Sequence, residues 1–236
     1  MGRSNIAAFF DVDGTLLARN SATLYIRHLR RTGQARRRDV AWTLYYLLRY
    51  KFGLLDVDGA LAESMRFVRG KDEAAVRADA QAWYERDVRR WLYPQMAGLV
   101  AAHRQAGHVT VIATSATRYL AEPLAAELDI AQFLVTRLVV GGGVFTGEAV
   151  RPLCYGAGKL EWARDLAARD GIELGASYFY TDSITDLPLL EAVGHPRIVH
   201  PDLPLRRLAQ RRGWPVLRPA LGATTALPLA AVEAER

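Results

Sequence analysis

The segment Ile6-Ala7-Ala8-Phe9-Phe10 is an unbroken apolar run that stops at Asp11-Val12-Asp13-Gly14-Thr15-Leu16. Apolar side chains at consecutive positions leave no face for water, so the run predicts a strand buried on both sides. Strands of that kind belong to parallel sheets covered by helices, and the polar residues that follow mark a loop at the strand's carboxyl end. After Pro94 the alternation of such a sheet continues. The pattern predicts helix 95–105, strand 109–113, helix 119–128, a glycine-turned hairpin or flap over 133–146 and helix 159–169. It goes on with strand 178–181, helix 186–193, strand 197–200, helix 203–212 and a short strand 214–217. The fold class is α/β.

Between these parts the period changes. Ser21 stands where it can cap a helix with Leu24, Tyr25, His28 and Leu29 on one face, ended by Gly33; further helices are expected over 36–52, 59–68 and 72–92. The 236 residues suit one domain with an insertion or two small domains, since domains run to about 100–200 residues. The expected organisation is an α/β core from 1–17 and 94–218, a helical cap from 18–93 and a flexible Ala/Pro-rich tail from 219–236. The single Cys154 cannot pair within the chain, which fits a reducing compartment. Run 6–10 is shorter than the about 7–15 residues of a signal-peptide core. Stretches 40–48 and 219–232 are short of the ~18 residues of a spanning helix. A cytoplasmic protein is expected.

The formal charge of +6 invites a nucleic-acid reading, but it is local. Residues 18–55 carry nine basic side chains against Asp39, a net +8, which leaves the remainder at −2. No nucleic-acid partner is expected. The basic stretch lies beside Tyr25, Trp42, Tyr45, Tyr46, Tyr50, Phe52, Trp83, Tyr84 and Trp91. Two readings stand: a small helical core with a solvated Arg face, or a surface for an anionic or partly apolar substrate with peripheral membrane contact.

Four segments fall at strand ends or helix starts: Asp11 to Leu16, Thr114-Ser115, Gly158-Lys159, and Asp182-Ser183-Ile184-Thr185-Asp186. Together they form a kit for phosphoryl transfer. Asp11, Asp13 and Asp182 offer hard oxygens for a cation such as Mg²⁺; Thr114, neighbouring backbone N–H groups and Lys159 offer donors to phosphoryl oxygens. Of 31 basic residues 28 are Arg, so Lys159 suggests that a compact point charge is wanted there. Asp56-Val57-Asp58-Gly59-Ala60-Leu61 nearly repeats the first motif, but it follows a helical run and reads as a helix cap. The five histidines show no metal-ligand spacing and read as structural or exposed, and Cys154 has no evident His partner.

With these motifs in this order, the chain resembles the haloacid dehalogenase superfamily of phosphohydrolases, in its phosphoserine-phosphatase-like branch. Residues 114–125 and 180–190 look like a bacterial subgroup with diverse substrates. The resemblance implies a Rossmann-like parallel-sheet core with an inserted all-helical cap that closes over the site. It implies Mg²⁺-dependent hydrolysis of a phosphomonoester, with Asp11 as the nucleophile that forms an aspartyl-phosphate and Asp13 as general acid and then base. Thr114 and Ser115 would bind phosphate, and Lys159 would stabilise its oxygens. Asp11, Asp13 through its backbone carbonyl, and Asp182 would hold the metal, supported by Asp186 and Ser183. Phosphoserine phosphatases carry a substrate-selecting Glu just after the first motif; Asn20 stands at the nearest position here and departs from that pattern. The implied substrate is a small phosphorylated metabolite, phosphoserine- or histidinol-phosphate-like. Alternatives are a lysophospholipid phosphatase, a phosphotransferase, and a non-enzymatic phospho-acceptor or anion-binding protein.

Overall fold

The computed structural model describes residues 5–51, 59, 65 and 67–223. Strand β1 (Ala7–Phe10) is buried along its whole length and pairs in parallel with β2 (Val109–Thr117) on one side and β6 (Tyr178–Thr181) on the other. The full sheet runs β3-β2-β1-β6-β7-β8, all parallel, with β3 at Gln132–Thr136, β7 at His195–Val199 and β8 at Val216–Leu217. Chain order reverses direction across the sheet at β1. A crevice at the carboxyl ends of the strands forms at such a switch point.

The period of two along β1 divides the core. Ala8 and Phe10 join the cluster that contains Met96, Leu99 and Val100 of α4 (Pro94–Gln105) and Leu120 and Leu124 of α5 (Arg118–Leu128). Ala7 and Phe9 face the cluster built from α6 (Ala157–Asp170), α7 (Leu187–Ala192) and α8 (Leu203–Arg212). Both faces are thus covered by helices, as the apolar run requires.

The helical insert leaves and re-enters the core at adjacent points, where Ala18 N–H donates to Trp91 C=O at 2.8 Å and Tyr93 N–H to Leu16 C=O at 2.9 Å. Among the described residues it includes α1 (Ser21–Arg31), α2 (Arg37–Lys51) and α3 (Glu73–Trp83). The helix expected over 72–92 does not stay α-helical: it passes through a π-helical turn, Tyr84–Val88, and a 3-10 turn, Arg89–Trp91. The wider turn lets the consecutive Trp83 and Tyr84, and then Val88, all face the core cluster with Leu16 and Leu17. Helix α1 is capped by Asn20, not Ser21, because the Asn20 Oδ1 accepts the Thr23 N–H at 3.1 Å.

The expected hairpin over 133–146 divides in two. Gln132–Thr136 is the edge strand of the main sheet, while β4 (Leu138–Gly141) and β5 (Val144–Ala149) form the antiparallel pair around Gly142 and Gly143. Leu134 and Val135 are buried between layers, whereas Leu138 to Val140 are half-exposed, which separates the two roles. Backbone bonds from Gly70 N–H to Phe145 C=O and from Glu73 N–H to Gly143 C=O, both 2.8 Å, fasten the pair to the insert. Most of the helix expected over 59–68, the near-repeat Asp56-Val57-Asp58 and the tail beyond 223 lie outside the described residues. At the start of that tail, Pro219 C=O is bonded by His200 Nε2 at 2.7 Å and Ala220 N–H donates to Gln95 Oε1 at 2.8 Å.

Candidate active site

Asp11 follows β1 directly and its N–H donates to Tyr180 C=O at 2.9 Å, so the sheet ladder itself fixes the residue between β1 and β6. Its carboxylate is buried, and Oδ1 accepts from Lys159 Nζ at 3.1 Å. Lys159 is in the first turn of α6, the unfavourable end of the helix dipole for a cation. Two carboxylates offset that placement: Asp11, and Asp186, whose Oδ2 accepts from Nζ at 2.7 Å. Thr181 Oγ1 also donates to Asp186 Oδ2, at 2.6 Å. Gly158 lets the first turn of α6 pack on the loop that precedes it, because a Cβ there would stand 2.1 Å from the Leu153 carbonyl oxygen.

Asp13 is tied to the insert. Its Oδ1 accepts the Ser21 N–H at 2.8 Å, and its Oδ2 accepts the Ser21 hydroxyl at 2.9 Å and Asn20 Nδ2 at 3.0 Å. Burial pushes Asp13 up to about 6 against the opposing effect of the Ser21 bonds. Burial likewise raises Asp11 to about 7, with Lys159 holding it down and the Asp186 and Asp13 charges pushing it up. Asp182, just after β6, is raised well above the ordinary carboxylate range by burial and by Asp11, Asp186, Asp13 and Asp202. Gly14, at φ +79°, lies so close that a Cβ would meet Asp182 Oδ2 at 2.3 Å.

Thr114 is buried in β2 and its Oγ1 accepts the Ala116 N–H at 3.2 Å, while Ser115 is exposed at the same end of the sheet. Ser183 is buried; its hydroxyl shares a 2.9 Å bond with Thr185 Oγ1 and accepts the Thr185 N–H. The sequence reading missed Asp202. Its N–H donates to Asp182 C=O at 2.9 Å, its Oδ2 accepts the Ile184 N–H at 2.9 Å, and its Oδ1 caps α8 through Leu205 N–H. The signal available was an Asp just before a helix start that carries a proline.

The donor set fits a hard divalent cation. The Asp182 carboxylate lies within the field of Asp11, Asp13 and Asp186, of which the Lys159 ammonium pairs with Asp11 and Asp186, and no hydrogen bond reaches it among the described residues. Asp11 and Asp182, whose charges act on each other, are the pair that the donor chemistry suits. No group of three or more His, Cys, Asp or Glu side chains is arranged for a metal among the described residues, and the Asp13 carboxylate is turned to Ser21 and Asn20. Asn20, expected at a substrate-selecting position, spends Oδ1 on the helix cap and Nδ2 on Asp13.

A family model described as haloacid dehalogenase-like hydrolase matches residues 8–191, which takes in all of these groups except Asp202. The chain belongs to that family. This haloacid dehalogenase-like hydrolase is 37% identical over 220 residues to a probable phosphatase of Mycobacterium tuberculosis, covering 91% of this chain and 76% of that protein. It is 33% identical over 216 residues to a phosphoserine phosphatase of the same organism, covering 89% and 70%. To a histidinol-phosphatase of Neisseria meningitidis it is 30% identical over 219 residues, covering 89% and 97%. Among solved structures, a protein of unknown function from Bordetella pertussis superposes with a TM-score of 0.80 at 29% identity, covering 89% of this chain and 97% of that one. The hydrolase is therefore an enzyme of the phosphatase type, with the Rossmann-like core of its family.

Proposed function

We propose that the enzyme hydrolyses a phosphomonoester of a small metabolite through an aspartyl-phosphate on Asp11, with Mg²⁺ as cofactor. The observation that carries this reading is the Lys159 ammonium set between Asp11 and Asp186, beside an Asp13 raised to about 6.

The Asp11 carboxylate attacks phosphorus, the bond from phosphorus to the leaving oxygen breaks, and Asp13 delivers its proton to that oxygen. Asp13, now ionised, takes a proton from water as the water oxygen attacks the phosphorus of the acylphosphate and frees Asp11. A carboxyl group raised to about 6 is matched to both roles near neutral pH. Lys159 holds Asp11 Oδ1 and favours its ionised form, while Thr114, Ser115 and the backbone beside them donate to the phosphoryl oxygens. Asp11, Asp182 and the backbone carbonyl of Asp13 would hold Mg²⁺, which would supply neutralisation of the phosphate charge. Asp186 orients Lys159, and Ser183 shapes the loop that carries Asp182. The insert, 18–93, acts as the cap, and its Ser21 and Asn20 bind Asp13 directly.

Support from relatives is to the same effect: phosphatases named for phosphoserine and for histidinol phosphate are among them. Asp11→Asn is expected to abolish turnover of para-nitrophenyl phosphate with the circular dichroism spectrum unchanged; retained turnover would sink the reading. Product analysis with an added acceptor alcohol distinguishes hydrolysis from phosphoryl transfer. No described helix is long and apolar enough to cross a membrane. Peripheral contact would run through the outward face of α2, where Leu44 and Tyr45 are exposed near Arg37 and Arg38, and vesicle flotation tests it.

A further inference from the structure

Above the acids lies a cavity of about 640 Å³, bounded below by Asp11, Asp13, Asp182 and Thr114. Sites that enclose a drug-sized ligand span about 300–1,000 Å³, so there is room for far more than a phosphate. The walls include the rings of Tyr25, Trp42, Tyr46, Phe67, Trp83 and Tyr119. On α2 the contributing residues Asp39, Trp42, Thr43 and Tyr46 recur at helical spacing, so one face of that helix is given to the cavity. Trp42 is 49% exposed and stands at the mouth.

The charges of the wall matter as much as its rings. Among the described lining residues, Asp39 is the one charge beyond the acids below, and none is Arg or Lys. Asp39 is itself occupied: it accepts the Arg36 N–H at 2.6 Å and lies 3.7 Å from Arg38 Nε. Arg19, Arg27, Arg30, Arg31, Arg36, Arg37 and Arg38 are all exposed, which favours the reading of this stretch as a solvated Arg face. Against these described walls, an anionic group on the leaving alcohol would lose its hydration without meeting a cation. An apolar or aromatic one would gain from burial and ring contacts.

Resting on the hydrolase reading above, we infer that the enzyme selects phosphomonoesters whose organic part is apolar, aromatic or alkyl, and carries no anion besides the phosphate. Tyr25, Trp42 and Tyr46 recognise that part. Phosphoserine, with its carboxylate, falls outside the class.

The test compares kcat/KM for ethyl, butyl and octyl phosphate, 2-phenylethyl phosphate and phosphoserine. Values should rise up to about fourfold per methylene until the cavity is filled, and phosphoserine should fall at least tenfold below the best ester. The octyl and phenylethyl arms separate a lipid-like from an aromatic source. Trp42→Ala and Tyr46→Ala should each lower the ratio of octyl to ethyl phosphate at least tenfold, while Leu44→Ala, on the outward face, leaves it unchanged. A flat chain-length series, or phosphoserine as the best substrate, overturns the inference. Calorimetric binding of octylphosphonate against the phosphonate analogue of phosphoserine reads the same selection without turnover. An enzyme that prefers octylphosphonate yet hydrolyses no ester would keep the inference and sink the hydrolase reading instead.

Discussion

Ser21, the first residue of α1, donates to both oxygens of the Asp13 carboxylate, its backbone N–H to Oδ1 at 2.8 Å and its hydroxyl to Oδ2 at 2.9 Å. The proposed acid and base is thus held by the helical insert, and a movement of the insert would change its proton affinity. Both bonds favour the ionised form and oppose the burial that raises Asp13 to about 6. Ser21→Ala removes one of them. The pH window of kcat should move upward by about one unit, since a unit corresponds to ~1.4 kcal/mol, within reach of one hydrogen bond to a charged group. A pH–rate profile of the variant checks the direction.

Lys159 is 2% exposed and satisfies two buried carboxylates at once. Lys159→Met leaves both without their cation, a change that typically costs about 3–5 kcal/mol. Asp11 can escape by taking up a proton, so the loss in denaturant titrations should be smaller at pH 5 than at pH 8, and turnover should vanish at both. Lys159→Arg should not restore turnover, because a planar fork cannot replace a point charge set between Asp11 and Asp186.

Gly14→Ala tests the metal site from the backbone side. The residue has φ +79°, and its new Cβ would lie 2.3 Å from Asp182 Oδ2, so the carboxylate must move. Strain in this backbone region costs about 1–3 kcal/mol. The Mg²⁺ concentration for half-maximal activity should rise at least tenfold, and the melting temperature should fall. An unchanged Mg²⁺ titration would remove Asp182 from the metal site.

What the sequence disclosed and what it withheld have separate physical causes. Asp11, Thr114, Asp182 and Lys159 were legible because each follows an apolar run or opens a helix, and those local patterns place residues at one end of a parallel sheet. Asn20 as the cap of α1 was not, since Asn and Ser are about equally good caps, and the contact of Ser21 with Asp13 decides between them. The division of 132–149 into a sheet edge and a separate pair depends on burial against α5 and on the insert, neither of which has a local signal. The direction of the Arg side chains was open for the same reason: a basic helix shows that it is charged, not which side faces a cavity.

The histidines are the clearest case of nonlocal assembly, and they carry the last prediction. His103 at the end of α4, His108 before β2 and His195 at the start of β7 look scattered in sequence, yet they gather at the amino ends of the strands around Tyr178. His103 is fully buried: Nε2 bonds Tyr180 Oη at 2.7 Å and Nδ1 bonds His108 Nδ1 at 2.8 Å. Burial first, then the His108 and Arg197 charges, lower it from 6.5 to about 3. Below pH 6.5 the unfolded chain therefore binds a proton that the folded chain refuses, and this contribution to stability is lost as pH falls from 6.5 toward 3. Asp11 and Asp13 act in the opposite sense, because their raised values favour the folded state at low pH. Their effect is common to the parent and to His103→Gln and cancels in the difference between them. The stability cost of His103→Gln should thus be roughly 2 kcal/mol smaller at pH 5 than at pH 7, at ~1.4 kcal/mol per pH unit. Chemical denaturation of both proteins at the two pH values measures it, and a cost that stays constant would show that His103 takes up its proton inside the fold.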